Sequence, residues 1–394
     1  MKFEEIWGRI ARQNPGLRAA SLAVEAAEGR SLQAAARPNP EIEWEAEEFG
    51  GEGERSGWGG AETTLRIVQE IETGGKRGAR AAVAAAEREA ACIDHEIRRL
   101  DVWFFAVDSF GRVWAAQEKA ALAEENLRLL AAIREAARQR VSAGKVPPLD
   151  ETRAEVELAL SEAARGSARR DLDAARRSLA SLWGETDPAF ERVEGDLDRL
   201  VDPSEFPASL EGGDRSPELV RIDRERAARA AALRAEKAAR IPNLSVSGGI
   251  RRLEGTGERS YTAGLSLPLP LFDRNREAVR AAASEAARAE SEGEAARLDL
   301  GARLARLRAE ALNAYEEVEA LRGAALPAAA EALEVATIGY EHGRFGYLDL
   351  LEAERSFIEL RTRLVEGLLR YHISVAEIAR AAGDTSVSLF SVRP

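Results

Sequence analysis

The chain has 394 residues, 31% of them charged and 6% aromatic, with a formal net charge of −12 and no basic block, which excludes a nucleic-acid binder by charge. One cysteine, Cys92, and three scattered histidines, His95, His342 and His372, leave no disulfide framework and no Cys/His spacing of a metal site. No run of about 18 apolar residues exists, which argues against a transmembrane helix, and Met1-Lys2-Phe3-Glu4-Glu5 leads straight into an amphipathic helix without a signal-peptide pattern.

Residues 5 to 36 predict a helix or helix pair with a turn near Asn14-Pro15, ended by Pro38-Asn39-Pro40. From Glu41 to Glu47 the sequence alternates: Ile42, Trp44 and Ala46 on one face, four glutamates on the other. That is a strand with one apolar and one polar face. A Gly-rich loop with Phe49 and Trp58 leads to a second alternating stretch, Thr63 to Ile71, and Gly74-Gly75 breaks it. The hairpin thus spans about 41–71.

A long helix follows over 76–143. Ile93, Ile97, Leu100, Phe104, Val107 and Trp114 recur at steps of three, four and seven, the seam of a helix packed on helices. At about 1.5 Å per residue it would be on the order of 100 Å long. A return helix covers 149–183 and an irregular segment covers 184–215. The same order then recurs over 216–394: a helix from Ser216-Pro217, Pro242-Asn243, a hairpin over about 243–268, a long helix over 274–342 interrupted at Gly323 and Pro327, a return helix over 348–382, and a tail. Arg77 and Arg276, Gly144 and Gly343, and Asp150 and Asp349 are each separated by 199 positions. A period that long marks two duplicated halves, 1–215 and 216–394, rather than a solenoid.

Four strands of this length match a tilted bilayer crossing. In hydrocarbon every backbone group must be paired, so such strands must close into a barrel. Four cannot close alone, which calls for a cyclic ring of copies; three give twelve strands. Trp44, Phe49, Trp58 and Tyr261 lie near strand ends, where aromatic girdles anchor. No nucleophile–base pair or cofactor motif is present, so the chain reads as neither an enzyme nor a cofactor protein.

These features resemble the TolC family of outer-membrane efflux ducts: the duplicated halves, Asn14-Pro15, the Pro-Asn before each hairpin, and the Gly-x-x-x-x-Leu-Asp tips at Gly144 and Gly343. The stretch Gln69-Glu70-Ile71-Glu72-Thr73-Gly74-Gly75-Lys76-Arg77 is similar to the heavy-metal (CzcC-like) subgroup. The resemblance implies an α+β membrane protein: a homotrimer with a 12-stranded β-barrel in outer-membrane lipid and a long α-helical barrel across the periplasm. It implies a periplasmic adaptor and an inner-membrane RND-type pump as partners. The missing export signal departs from the family and is attributed to a trimmed start. No cysteine near the N-terminus supports a lipid anchor. The implied adaptor-contact tips are Ala143, Gly144, Lys145, His342, Gly343 and Arg344, with His342 a tip residue rather than a metal ligand. The implied periplasmic gate is Asp349 and Glu352, one helical turn apart, with Tyr340 and Asp150. A multidrug duct is the alternative within the family. A coiled-coil scaffold, the alternative outside it, explains the rods but not the strands or the period.

Overall fold

The computed structural model describes residues 1–53, 57–203, 206 and 216–385; the expected C-terminal tail and most of segment 204–215 lie outside them. The elements are α1 (Phe3–Gln13), α2 (Pro15–Ala34), β1 (Glu41–Glu47), β2 (Glu62–Ile71), α3 (Lys76–Ser142), α4 (Pro148–Ser181), α5 (Pro217–Ala239), β3 (Leu244–Leu253), β4 (Arg259–Ser266), α6 (Arg276–Ala320), α7 (Leu326–Glu341) and α8 (Tyr347–Ala382). The chain separates into two compact units, and each draws on both sequence halves. One comprises Ser21–Asp94 and Val220–Ala296; the other comprises Met1–Ala20, His95–Leu219 and Arg297–Pro394.

The first of these units carries the sheet. Its four strands are antiparallel and lie in sequence order, with the two hairpins joined through β2 and β3. The register sorts the side chains as the alternation predicts. Ile42 faces Ile67 and Trp44 faces Leu65; Leu65 in turn faces Ile250, which faces Tyr261. The opposite face carries Glu41, Glu43, Glu45, Glu47, Glu62 and Glu70, with Arg66 and Arg251 among them. Trp44, Leu65, Ile250 and Tyr261 form one row across all four strands, two or three residues inside the hairpin end.

Below the sheet the backbone is closed by side chains. Arg80 donates from Nε to the Ala34 carbonyl at 2.8 Å and from Nη2 to the Ala36 carbonyl at 3.0 Å, satisfying acceptors left at the end of α2. It also pairs with Glu72. Surface ion pairs such as Arg221–Asp94 (2.7 Å) and Arg224–Glu89 (3.0 Å) link the helices. Exposed pairs of this kind contribute at most about 1 kcal/mol each.

The second unit holds the main helical core. Asn14 caps α2, its Oδ1 accepting the Leu17 N–H at 3.0 Å, and its Nδ2 reaches the Leu182 carbonyl at 2.7 Å. Phe3 of α1 meets Phe110 of α3 edge-on at 5.5 Å between centroids. This contact corrects the single seam expected for α3. Besides Leu100 and Val107, the buried set includes Trp103, Ala106, Phe110 and Val113, because α3 is covered on more than one face here. Ile93, Ile97, Phe104 and Trp114 are only half-buried.

The interruption expected at Gly323 and Pro327 is a change of helical pitch rather than an end of the helix. The helix continues through a π-helical turn, Leu321–Ala325, into α7. Pro327 has no N–H to donate to the carbonyl of Gly323, and one wide turn absorbs that loss without ending the helix.

Candidate functional site

Two hairpin tips end the long helices. At the first, Gly144 (φ +68°) donates its N–H to the Val141 carbonyl at 2.9 Å and Lys145 donates to the Arg140 carbonyl at 2.9 Å. At the second, Gly343 (φ +74°) donates to Tyr340 at 3.0 Å and Arg344 donates to Gly339 at 2.8 Å. Both are Schellman caps, and both need the left-handed residue that glycine supplies without a Cβ clash. The return helices begin at Pro148 and Tyr347.

Ala143, Gly144, Lys145, His342, Gly343 and Arg344 are all exposed. His342 Nδ1 lies 2.8 Å from the Ile338 carbonyl; since a carbonyl only accepts, Nδ1 carries the proton and the imidazole extends the helix cap. Phe345 folds back over the second tip, so that a Cβ on Gly339 would run into its ring.

The expected gate residues divide into two environments. Asp349 and Glu352 are exposed on α8. The Asp349 carboxylate accepts the Gly346 N–H at 2.8 Å, so it caps its own helix. Tyr340 is buried, 1% exposed, in a cluster with Leu130, Ile133, Ala137, Ala154, Tyr347, Leu350 and Leu351. The Arg140 guanidinium stands 4.5 Å over the Tyr340 ring and donates to the Tyr340 carbonyl. Tyr347 meets the same ring edge-on at 6.3 Å. Burial raises the Tyr340 hydroxyl pKa; Arg140 opposes this and the Asp150 carboxylate adds to it. Asp150 and Tyr340 are therefore brought together, while Asp349 and Glu352 lie on the exposed side of α8. Asp150 also has Arg153 at 3.9 Å.

Sequence reasoning did not find Arg140 or Tyr347. The available signal was their spacing: Arg140 lies four residues before Gly144, and Tyr347 lies seven after Tyr340. It also missed a buried carboxyl one turn further along α8. Glu354, 2% exposed, packs with Asn126 and Leu130 of α3 and with Glu157 and Ser161 of α4. Burial above all, with Glu157 adding to it, pushes its pKa up to about 7 against the lowering by Arg355 and an Asn126 hydrogen bond. Arg355 is itself paired with Glu157.

On the polar face of the sheet, Arg66 pairs with Glu45 and lies 3.6 Å from Glu43, and Arg251 pairs with Glu62 at 2.9 Å and Glu47 at 3.4 Å. On the other face the large apolar side chains stand open: Trp44 is 64% exposed and Tyr261 is 92% exposed. In the β1–β2 loop, Phe49 stacks on Trp58 at 5.8 Å. Among the described residues no group of three or more His, Cys, Asp or Glu side chains is arranged to hold a metal ion.

The chain is similar to known proteins. The CzcC cobalt-zinc-cadmium resistance protein of Cupriavidus metallidurans is 34% identical over 386 residues, covering 97% of this chain and 90% of that one. The nickel-cobalt-cadmium resistance protein NccC of Alcaligenes xylosoxydans xylosoxydans is 32% identical over 282 residues, covering 71% and 63%. The solved structure of the outer membrane protein VceC from Vibrio cholerae shares the fold, with a TM-score of 0.80 at 18% identity, covering 97% of this chain and 96% of that one. Residues 8–185 and 213–384 match the family model described as outer membrane efflux protein, and the chain belongs to that family.

Proposed function

We propose that the chain is one third of a passive exit duct of a tripartite efflux system. Three copies, each a duplicated pair of halves, contribute four strands to a 12-stranded barrel in the outer membrane. Their long helices form a tube across the periplasm, where the tips meet an adaptor fed by an RND-type pump. The duct itself performs no chemistry. The observation that carries this reading is the register, which puts Ile42, Trp44, Leu65, Ile67, Ile250, Tyr261 and Leu265 on one face and six glutamates on the other. Lipid suits the first face and a water-filled lumen suits the second. The free edges of β1 and β4 are hydrogen-bonding rows that a neighbouring copy would satisfy.

The cargo proposed is divalent heavy-metal cations. CzcC and NccC are resistance proteins for such metals. An inward face of six glutamates against two arginines supports that reading, because a negative lining concentrates cations. The acidic pair Asp349 and Glu352, tripled around the axis, would form a cation-attracting rim, with Tyr340, Asp150 and Arg140 bracing the helices behind it.

The test is reconstitution. The protein purified in detergent should have a trimer's mass and give discrete conductance steps in planar bilayers. A non-trimeric oligomer that stays soluble without detergent and never conducts would leave the scaffold reading standing instead. Deleting the gene in its own host should raise sensitivity to cobalt, zinc or cadmium salts; heightened sensitivity to hydrophobic drugs alone would favour the multidrug alternative.

A further inference from the structure

The connections that carry the sheet into the long helices differ between the two halves. After β2, four residues reach α3, and they close on their own chain. Glu72 pairs with Arg80, the Thr73 hydroxyl donates to the Pro242 carbonyl, and a Cβ on Gly74 would stand 2.8 Å from Ile241 Cβ. After β4, the chain takes nine residues, 267–275, to reach α6.

Leu267, Leu269 and Leu271 continue the alternation of Leu265, with Pro268 and Pro270 between them, and Phe272 follows. All four of these large apolar side chains are exposed, and Phe272 is 100% exposed. The backbone that bears them is fixed. Asn275, at φ +53°, donates from Nδ2 to the Glu236 carbonyl at 2.9 Å and to the Glu236 carboxylate at 2.7 Å. The Asn275 N–H donates to Asp273 Oδ1 at 2.8 Å, and Arg274 Nε donates to the Pro270 carbonyl at 3.3 Å. Proline fixes two further φ angles.

Resting on the duct reading above, we propose that 267–272 is an interfacial anchor seated in phospholipid at the helix-side boundary of the membrane. Three features choose lipid as the occupant. First, the leucines extend the alternation of the apolar sheet face beyond the strand. Second, the order is aliphatic, then aromatic, then charged at Asp273, Arg274 and Arg276, which is the order of depth in a bilayer: acyl chain, headgroup boundary, charged surface. Third, another copy has little to cover it with. In a ring closed by β4 against the next copy's β1, the stretch beside 267–272 would be the one preceding β1, Ala36-Arg37-Pro38-Asn39-Pro40, which has no large apolar side chain. Left in water, four adjoining apolar side chains would be an association hazard.

Site-directed spin labelling tests this on the full chain. Cys92 is the only cysteine, so Cys92→Ser gives a background for single labels. One label replaces Phe272 (Phe272→Cys) and a control label replaces Ile67 (Ile67→Cys) on the apolar sheet face. Both are read in phospholipid vesicles by collision with oxygen, which partitions into lipid, and with a water-soluble nickel chelate. The expected result is oxygen-dominated relaxation at both positions, with 272 shallower than 67. A lipid signal at 67 with nickel-dominated relaxation at 272 would overturn the anchor while leaving the duct intact. A lipid signal at 67 with neither reagent reaching 272 would assign the segment to a protein contact and also overturn it. Water exposure at both positions would remove the membrane reading and the anchor with it.

Discussion

Replacing Glu354 with glutamine should change how the protein's stability depends on pH. The carboxyl is buried between α3, α4 and α8, and its pKa is pushed up to about 7 from an ordinary 4.5. The charged and titratable groups facing it are Glu157 from α4 and Arg355 from its own helix, with the Asn126 amide from α3. Because the folded value lies above the unfolded one, the folded chain keeps a proton that the unfolded chain releases between about pH 4.5 and 7. Stability is therefore highest below that window, falls through it, and is level above it. At about 1.4 kcal/mol per pH unit the loss is on the order of 3 kcal/mol. Glutamine stays neutral throughout. The variant should match the wild type near pH 4.5 and exceed it by about 3 kcal/mol at pH 8. With an unfolding entropy of about 2.1 cal/mol/K per residue, that corresponds to roughly 4 °C in Tm. The figure is the same for one chain or a trimer, since gain and entropy scale together. Thermal unfolding followed by circular dichroism in detergent, at several pH values between 5 and 8, measures it. A Tm difference between variant and wild type that does not change with pH would refute the reasoning, because it would mean that Glu354 does not titrate in this window.

Three further outcomes are expected. The double variant Asp349→Ala, Glu352→Ala should raise the conductance of the closed duct in planar bilayers. Since Asp349 also caps α8, which is worth about 1 kcal/mol, Glu352→Ala alone is the cleaner arm, and unchanged conductance in both would remove these residues from the gate. Gly343→Val places a β-branched residue at φ +74°, costs about 1–2 kcal/mol locally, and should weaken capture of the adaptor; undiminished pull-down would put that contact elsewhere. Gly339→Val should lower Tm by driving its side chain into the Phe345 ring, and adding Phe345→Ala should restore most of the loss; additive effects would show that the two positions do not share space.

The strands were legible because their period is two and each residue's neighbour across the sheet repeats the choice of face. Ile42, Leu65 and Ile250 could be assigned without coordinates, since a one-residue slip would invert every one of them. The tips were legible through glycine, whose place at Gly144 and Gly343 answers a local backbone need. Burial inside the helical region was less so. A 3.5-residue repeat names one seam, but Phe110 and Val113 are buried by contacts on another face, and nothing within α3 announces the arrival of α1. Tyr340 enters the expected gate only through the family resemblance. Its burial under Arg140 depends on a residue 200 positions earlier. Glu354 is the extreme case. In Leu351-Glu352-Ala353-Glu354-Arg355 it reads as one more helix-surface carboxylate, and only the packing of α3 and α4 distinguishes it from Glu352 two residues away.

The sheet constrains the assembly more tightly than the helices do. Long helices satisfy their own backbone, so a single chain can hold them with no partner. The sheet cannot do so. Its outer strands, β1 and β4, each leave one edge without a partner among the described residues, and its apolar face carries Trp44, Leu65, Ile67 and Tyr261 in the open. A soluble sheet would bury that face on its own core and turn the glutamates outward. Here Glu43 and Glu45 lie beside Arg66, and Glu47 and Glu62 beside Arg251, an arrangement that holds acidic side chains close together on one face. On the proposed duct reading, the edges call for a neighbouring strand and the apolar face for lipid. Neither requirement substitutes for the other: a ring in water would still expose the apolar face, and a lone sheet in lipid would still leave its edges unbonded. On that proposed reading, trimer closure and membrane insertion should therefore be one coupled step, in which a variant that blocks edge pairing also blocks insertion into vesicles.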